Sequence, residues 1–319
     1  MTRSFSKMHG LGNSYIFVST FESVLISPET LAVAVSDRNR GIGSDGLIVI
    51  GPGDDSSHVS MHIYNADGSA AEMCGNGIRC ACKYVYERDL CRANPMVFST
   101  PAGLRRVWYE ANEQGLIHEA QVEMGIPKFG IDAIALDQRY VDLDADGLVC
   151  LLNPVTGKPS PEIPPLHLVS MGNPHAIIFV DALDLIDMST LGPCIEKHPA
   201  FPERINVHAV EISRELAQRS SPLKMLTWER GSGLTQACGT GAAAVCAAVV
   251  DAGYASGHME ILLPGGMLAL NWPGGDTEVS LRGDAVEVCS GTLCEIAEPG
   301  DACAVMPTTH FVSDRLPHS

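Results

Sequence analysis

Two cysteines stand in a setting that could do chemistry. Cys74-Gly-Asn-Gly77 leads into Ile-Arg-Cys-Ala-Cys-Lys-Tyr84, and Cys238-Gly-Thr-Gly241 leads into Ala-Ala-Ala-Val-Cys-Ala-Ala248. Each is Cys-Gly-polar-Gly opening a proline-free, helix-like stretch. A cysteine just ahead of a helix lies among unpaired backbone N–H groups at the positive end of the dipole, where a thiolate is stabilised. The same N–H groups bind a carboxylate, and Gly75, Gly77, Gly239 and Gly241 let one come close. A carboxylate gripped by two such helix starts, in lobes related by a pseudo-twofold axis, leaves its α-carbon between two sulfurs. One thiolate then removes the α-proton and the opposite thiol protonates the other face, which inverts the stereocentre.

Other segments repeat in step with the cysteines. Met8-His-Gly-Leu-Gly-Asn13-Ser-Tyr-Ile-Phe-Val18 matches Met171-Gly-Asn173-Pro-His-Ala-Ile-Ile-Phe-Val180, and the Asn-to-Cys separations are 61 and 65 residues. Downstream, Val97-Phe-Ser-Thr-Pro101-Ala-Gly103 echoes Ile261-Leu-Leu-Pro264-Gly-Gly266, at 29 and 28 residues past each cysteine. Three matches in one order at near-constant spacing mark a duplicated architecture. The elements that must hold the cysteines are short β-rich runs: Tyr15–Val18, Leu47–Ile50, Val59–Tyr64, Val97–Ser99, His167–Val169, Ile177–Val180, Glu260–Leu263 and Glu278–Leu281. With Gly/Pro turns between them they predict antiparallel sheets rather than alternating β-α units. The expected fold is mixed α/β: two pseudo-symmetric lobes, each a curled, mostly antiparallel sheet around a central helix. Residues 1–120 form a lobe carrying Cys74, and 121–300 a lobe carrying Cys238. The last strand, about 286–298, returns to the first lobe, 144–165 is the connection, and 301–319 is a polar tail.

Composition narrows the partners. The 319 residues are 45% apolar and carry 38 acidic against 21 basic side chains, a net charge of −17, so a broad nucleic-acid surface is excluded. The N-terminal residues lack a signal-peptide apolar segment. The longest apolar run, Ala242 to Val250, is less than half a membrane span. No membrane association is expected, and the reading is a soluble, cytoplasmic protein. Its 11 cysteines, an odd number without a regular framework, are then thiols. Nine of them, including Cys80, Cys82, Cys150, Cys194, Cys246, Cys294 and Cys303, are assigned to packing.

Weaker patterns fail on context. Gly41-Ile-Gly-Ser-Asp-Gly46 fits the dinucleotide spacing, but Arg38-Asn-Arg precedes it and a strand-like run follows. Cys80-Ala-Cys82 lacks the spacing and partners of a zinc site. None of the six lysines has a Schiff-base setting, so no pyridoxal cofactor is implied.

Met8-His-Gly-Leu-Gly-Asn13, Asn65-Ala-Asp-Gly-Ser69, Cys74-Gly-Asn-Gly-Ile-Arg79, Met171-Gly-Asn-Pro-His175, Arg204-Ile-Asn206-Val and Glu229-Arg-Gly…Ala237-Cys-Gly-Thr-Gly241 together resemble the diaminopimelate epimerase family, in that family's order from residue 3 to about 298. The resemblance implies a cofactor-independent, metal-free epimerase that converts LL-diaminopimelate to the meso form for lysine and peptidoglycan precursors. It makes Cys74 and Cys238 the acid/base pair, with His175 and Glu229 adjusting their protonation. Gly75, Asn76, Gly239 and Thr240 would hold the reacting carboxylate. Asn13, Asn65, Asn173, Asn206, Glu229 and Arg230 would bind the rest of the substrate, Arg230 being suited to a bidentate grip on the distal carboxylate. A homodimer is compatible with the resemblance. Two positions depart from the pattern of many relatives: Gly233-Leu234-Thr235 stands where Gly-Glu-Thr is common, and Gly46 where glutamine is common. These leave a racemase of another amino acid as the alternative within the same chemistry. A thiol redox protein cycling Cys74 and Cys238 is the alternative outside it.

Overall fold

The structure is a computed structural model, described for residues 3–71, 73–212 and 222–293. Cys294, Cys303 and the expected tail lie outside the described residues. The chain divides into two compact units. One runs to Val122 and takes in the described C-terminal residues from Gly283 on; the other is Glu123–Arg282.

In the first unit, β1 (Arg3–Gly10) and β2 (Asn13–Ser19) form a two-residue hairpin in which Gly10 faces Asn13. Leu11 and Gly12 both have positive φ, the conformation that matches a hairpin's twist. The strained Leu11 is held by its N–H on Asp284 Oδ1 at 3.0 Å. Strand β3 (Gly46–Pro52) is buried along almost its whole length and runs parallel to β2. It is followed by β4 (Val59–Asn65), the short β5 (Ala70–Ala71), β6 (Met96–Thr100), β7 (Gly103–Ala111) and β8 (Ile117–Glu123). With β20 (Val286–Leu293) the strand order is β20-β1-β2-β3-β4-β6-β7-β8, antiparallel except for β2–β3 and β4–β6. Helix α1 (Pro28–Ser36) covers one face, where Leu31, Ala32 and Val35 pack with Phe5, Ile16, Val18 and Leu47. Helix α2 (Gly75–Glu87) lies on the other face and touches β1, β2, β3 and also β7. Strands far apart in the order meet one helix, so the sheet curls around it.

The second unit repeats this plan. Its strands are β9 (Lys128–Phe129), β10 (Val141–Leu143), β11 (Val149–Leu151), β12 (His167–Ser170), β13 (Pro174–Val180), β14 (Asn206–Glu211), β15 (Leu223–Glu229), β16 (Gly233–Leu234), β17 (His258–Leu263), β18 (Gly266–Asn271) and β19 (Ser280–Asp284). The order is β9-β12-β13-β14-β15-β17-β18-β19, and the two parallel pairs, β13–β14 and β15–β17, fall where β2–β3 and β4–β6 fall in the first unit. Helix α3 (Met188–Glu196) takes the place of α1, and α4 (Gly239–Asp251) that of α2, on β12, β13, β14 and β18. Ten of the 13 residues of α4 are buried, half of them alanine, so a good helix former also lets the sheet close in tightly.

The fold is the mixed α/β, sheet-dominated one expected. The 144–165 stretch differs from expectation. It is not a connection between units: β10 and β11 form a hairpin there, and Val149, Leu151 and Ile163 join the core cluster under α3. Its prolines and glycines make turns in a covering layer, which local composition cannot tell from a linker. Strand β19 begins at Ser280, two residues later than the run Glu278–Leu281 implies.

Candidate active site

Each cysteine is the residue that caps its helix in extended conformation. Cys74 precedes α2 with φ −141°, and Cys238 precedes α4 with φ −126°. The two surroundings differ, and each is described within its own unit.

In the first unit the Cys74 sulfur accepts the Gly77 N–H at 3.3 Å and donates to Asn13 Oδ1 at 3.4 Å. The β1–β2 hairpin puts Asn13 there, and its amide nitrogen is anchored on Asp45 Oδ2 at 3.0 Å. Asn76 is 2% exposed; its amide nitrogen reaches Asn13 Oδ1 at 3.5 Å and its oxygen takes Arg79 Nη2 at 3.0 Å. The Asn76 side chain is thus spent on the frame, leaving backbone N–H groups of the helix start for a ligand. The completely buried Arg79 also donates to the carbonyls of Gly75 and Asp284, at 3.0 and 3.1 Å. Asn65, at the end of β4, pairs with Gly46 and bonds Ser69 Oγ at 3.0 Å. A Cβ at Gly46 would stand 2.2 Å from the Tyr64 carbonyl oxygen, so this backbone admits only glycine there. Tyr15 belongs to this group although sequence reasoning missed it: burial, then the neighbouring Cys74 sulfur, holds its phenol proton well above the usual range. The signal was present in the repeat, because Tyr15 stands two residues past Asn13 as His175 does past Asn173.

In the second unit Cys238 is 5% exposed, with its sulfur 3.6 Å from Thr240 Oγ1. Asn173 donates to that hydroxyl at 3.3 Å and accepts from His175 Nε2 at 2.9 Å. His175 Nδ1 meets His208 Nε2 at 2.9 Å, and His208 Nδ1 meets Thr227 Oγ1 at 3.1 Å. Both imidazoles are completely buried. Burial pushes His208 down to about 3, and burial together with the neighbouring His208 and Arg230 holds His175 well below its ordinary value, so both rings are neutral. The Cys238 thiol is pushed well up, first by burial and then by the Glu229 carboxylate, against the pull of Thr240 and the Gly241 N–H. Glu229 Oε1 accepts the Thr235 hydroxyl at 2.6 Å. Asn206 donates to the Pro174 carbonyl and accepts the Arg230 N–H, both at 3.0 Å, tying together the starts of β13 and β14 and the turn after β15. Arg230 is exposed, with Nη1 on the Glu203 carbonyl at 2.9 Å. Leu234, the other departure, is 54% exposed on β16.

The predicted residues therefore gather as Asn13, Cys74, Gly75 and Asn76 in one unit, and as Asn173, His175, Glu229, Cys238, Gly239 and Thr240 in the other, with Asn206 and Arg230 beside the latter. His208 and Thr227 were missed, since a histidine in an apolar strand reads as ordinary core. Of the presumed packing thiols, Cys80, Cys82 and Cys246 are buried, whereas Cys194 is exposed on α3. That assignment is corrected: its helix turns Cys194 outward, away from the buried Ile195. Among the described residues, no three His, Cys, Asp or Glu side chains are grouped to hold a metal ion, and no helix is long and apolar enough to cross a membrane.

Comparison with known proteins adds to this geometry. The fold is shared, at 15% identity, with a probable proline racemase from Agrobacterium radiobacter (TM-score 0.64, covering 94% of each chain). It is also shared with a hydroxyproline epimerase from Agrobacterium vitis (15% identity, TM-score 0.63, 96% of each chain). In sequence, the chain is 40% identical to a diaminopimelate epimerase of Parabacteroides distasonis over 295 residues, 92% of this chain and 99% of that one. It is 41% identical to one of Methanothermobacter thermautotrophicus over 296 residues, 91% and 98% of the two chains. The family model for diaminopimelate epimerase matches residues 5–130 and 167–288, which include both cysteine-capped helices. By these matches the chain belongs to the diaminopimelate epimerase family.

Proposed function

We propose that this chain interconverts LL- and meso-diaminopimelate by two-base proton transfer at the α-carbon, with Cys74 and Cys238 as the two proton-transfer groups. The observation that carries the reading is the matched pair of Cys-Gly-polar-Gly helix starts, one in each topologically equivalent unit of a chain of this family. In this reading the backbone N–H groups at Gly75-Asn76 and Gly239-Thr240 take the reacting carboxylate, whose charge suits a helix N-terminus. One sulfur abstracts the α-proton as a thiolate while the other, as a thiol, delivers a proton to the opposite face. Glu229 serves as the local acceptor for the Cys238 proton, and His175 acts through Asn173 and Thr240. Asn13 accepts the Cys74 S–H, which supports the thiol form there. Arg230 receives the distal carboxylate, and Asn65, Asn173 and Asn206 complete the substrate frame. The reaction needs reduced thiols, so it belongs in a reducing compartment such as the cytoplasm. A racemase of another amino acid remains the runner-up, because Gly46 and Leu234 depart from the common pattern.

Incubation of the reduced protein with LL-diaminopimelate in heavy water tests this. One solvent deuterium should enter the α-carbon that inverts, and Cys74→Ala and Cys238→Ala should each abolish inversion. Normal inversion by either variant, or inversion with the original hydrogen retained, would refute the two-thiol assignment. Activity on other amino acids but not on diaminopimelate would move the reading to the runner-up.

A further inference from the structure

The hydrogen bonds around Cys238 have a direction. Asn173 fixes it: its amide nitrogen is on Thr240 Oγ1 and its carbonyl oxygen faces His175 Nε2, so that ring nitrogen carries a proton. A neutral His175 then has a bare Nδ1, which must accept from His208 Nε2–H at 2.9 Å. A neutral His208 in turn has a bare Nδ1, which must accept the Thr227 hydroxyl at 3.1 Å. At the other end Thr240 Oγ1, already accepting from Asn173, has its own proton to give to the sulfur 3.6 Å away. Every donation runs the same way, from β15 across β14 and β13 to the cap of α4.

We propose that Thr227, His208, His175, Asn173 and Thr240 form a one-way hydrogen-bond relay ending on the Cys238 sulfur, in which His208 and Thr227 are positioning residues that favour its thiolate. The relay rests on the two-thiol reading above and deepens it. A buried thiolate is unfavourable, and a donor whose polarity is already set needs no reorganisation when the charge forms. Division of labour follows at this sulfur: the Glu229 carboxylate takes the proton, and the relay with the Gly241 N–H holds the charge left behind. Packing keeps the rings in place. A Cβ at Gly241 would lie 2.3 Å from His208 Cε1, so the imidazole rests on the bare backbone of the first turn of α4. The groups that face Cys238 are Glu229 on β15 with Thr240 and Gly241 on α4; those that face His175 are His208 on β14 and Arg230.

Two measurements test the relay without turnover. Nitrogen-15 NMR of histidine-labelled protein at neutral pH should place the proton of both His175 and His208 on Nε2. Finding both protons on Nδ1 would mean the chain runs the opposite way, and would overturn the proposal. Alkylation of Cys238 by iodoacetamide, followed by mass spectrometry of its peptide, reads the thiolate across pH. His208→Phe and Thr227→Val should raise its midpoint by about one pH unit, slowing alkylation about tenfold below the midpoint. Thr227→Ser, which keeps the hydroxyl, and His208→Gln, which keeps a donor, should restore most of the rate. Unchanged midpoints in both His208→Phe and the near-isosteric Thr227→Val, with wild-type circular dichroism, would overturn the relay. If LL-diaminopimelate is not epimerised while the midpoints shift, the functional reading falls and the relay stands. If deuterium exchange proceeds and the midpoints stay put, the reverse holds.

Discussion

Two sulfurs at equivalent positions are held by groups of unlike chemistry. Cys74 gives its proton toward the Asn13 amide oxygen, whereas Cys238 stands between a carboxylate and a hydroxyl. A two-base inversion needs one protonated and one deprotonated partner at any moment, so unlike surroundings are useful even though the residues are the same. The unit that carries Cys74 depends on Arg79, a buried cation that bridges the Gly75 carbonyl, Asn76 Oδ1 and the Asp284 carbonyl. Replacing it leaves buried acceptors unpaired, each worth about 1–3 kcal/mol. Arg79→Met should therefore lower the unfolding free energy by about 3 kcal/mol, measured by urea titration, and cut turnover by freeing Asn76 and the helix start. A stability loss below about 0.5 kcal/mol would show that the guanidinium is not holding this frame. Arg79 stood in the motif, but nothing in the sequence singled it out or showed its task. An arginine one turn into a helix reads as exposed until its contacts with Asp284, far along the chain but in the same unit, are known.

At the scale of elements, the two cysteine-capped helices share a glycine at their third position for different steric reasons. A Cβ at Gly77 would meet Ile48 Cδ1 at 2.6 Å, the flexible end of a side chain that can turn away. A Cβ at Gly241 would meet the His208 ring on three atoms, from 2.3 to 2.9 Å, and that ring is hydrogen-bonded through both nitrogens. Gly241→Ala should thus cost about 1–3 kcal/mol by overpacking, and Gly77→Ala distinctly less. Paired thermal melts check the order, and equal losses would contradict it. The hairpin that presents Asn13 and the turn that presents Asn173 were readable as repeated Gly-Asn steps. That β14 lays His208 beneath α4 was not, because the pairing of β13 with β14 joins residues about 30 positions apart.

Considered whole, the molecule hides groups that titrate only with difficulty, and its stability should show a pH window. His208 has an ordinary value of 6.5 and a folded value of about 3, and His175 is lowered too. Above about pH 6.5 both folded and unfolded states are neutral there. As pH falls toward 3 the unfolded chain binds protons that the folded one refuses, so stability is lost. At the alkaline end, burial lifts Cys80 and Cys246 from 9.0 to about 12. Stability is full below 9.0 and declines as pH rises toward 12, because only the unfolded thiols ionise. Urea midpoints across pH should form a plateau between about 6.5 and 9 with a fall on each side. His208→Phe should flatten the acid fall, and an unaltered acid limb would remove the buried imidazole as its cause. The net charge of −17 also acts at this scale. An anionic substrate gains nothing from the overall field, so on the proposed reading its attraction is local, to the helix starts and Arg230.

The amino-acid sequence by itself determined the duplication, the mixed α/β class, the two cysteines that cap matched helices and the family, because these rest on local pattern: residue type, glycine placement and spacing along the chain. Tertiary structure alone decided what each sulfur touches. Tyr15 at Cys74, Arg79 under Asp284, and the Thr227–His208–His175 chain behind Cys238 join residues from separate strands, and their proton positions depend on burial. Pattern along a chain records which groups are available. Only the packing of one strand on another sets the distance, the desolvation and the direction of each hydrogen bond, and those make two equivalent cysteines chemically unlike.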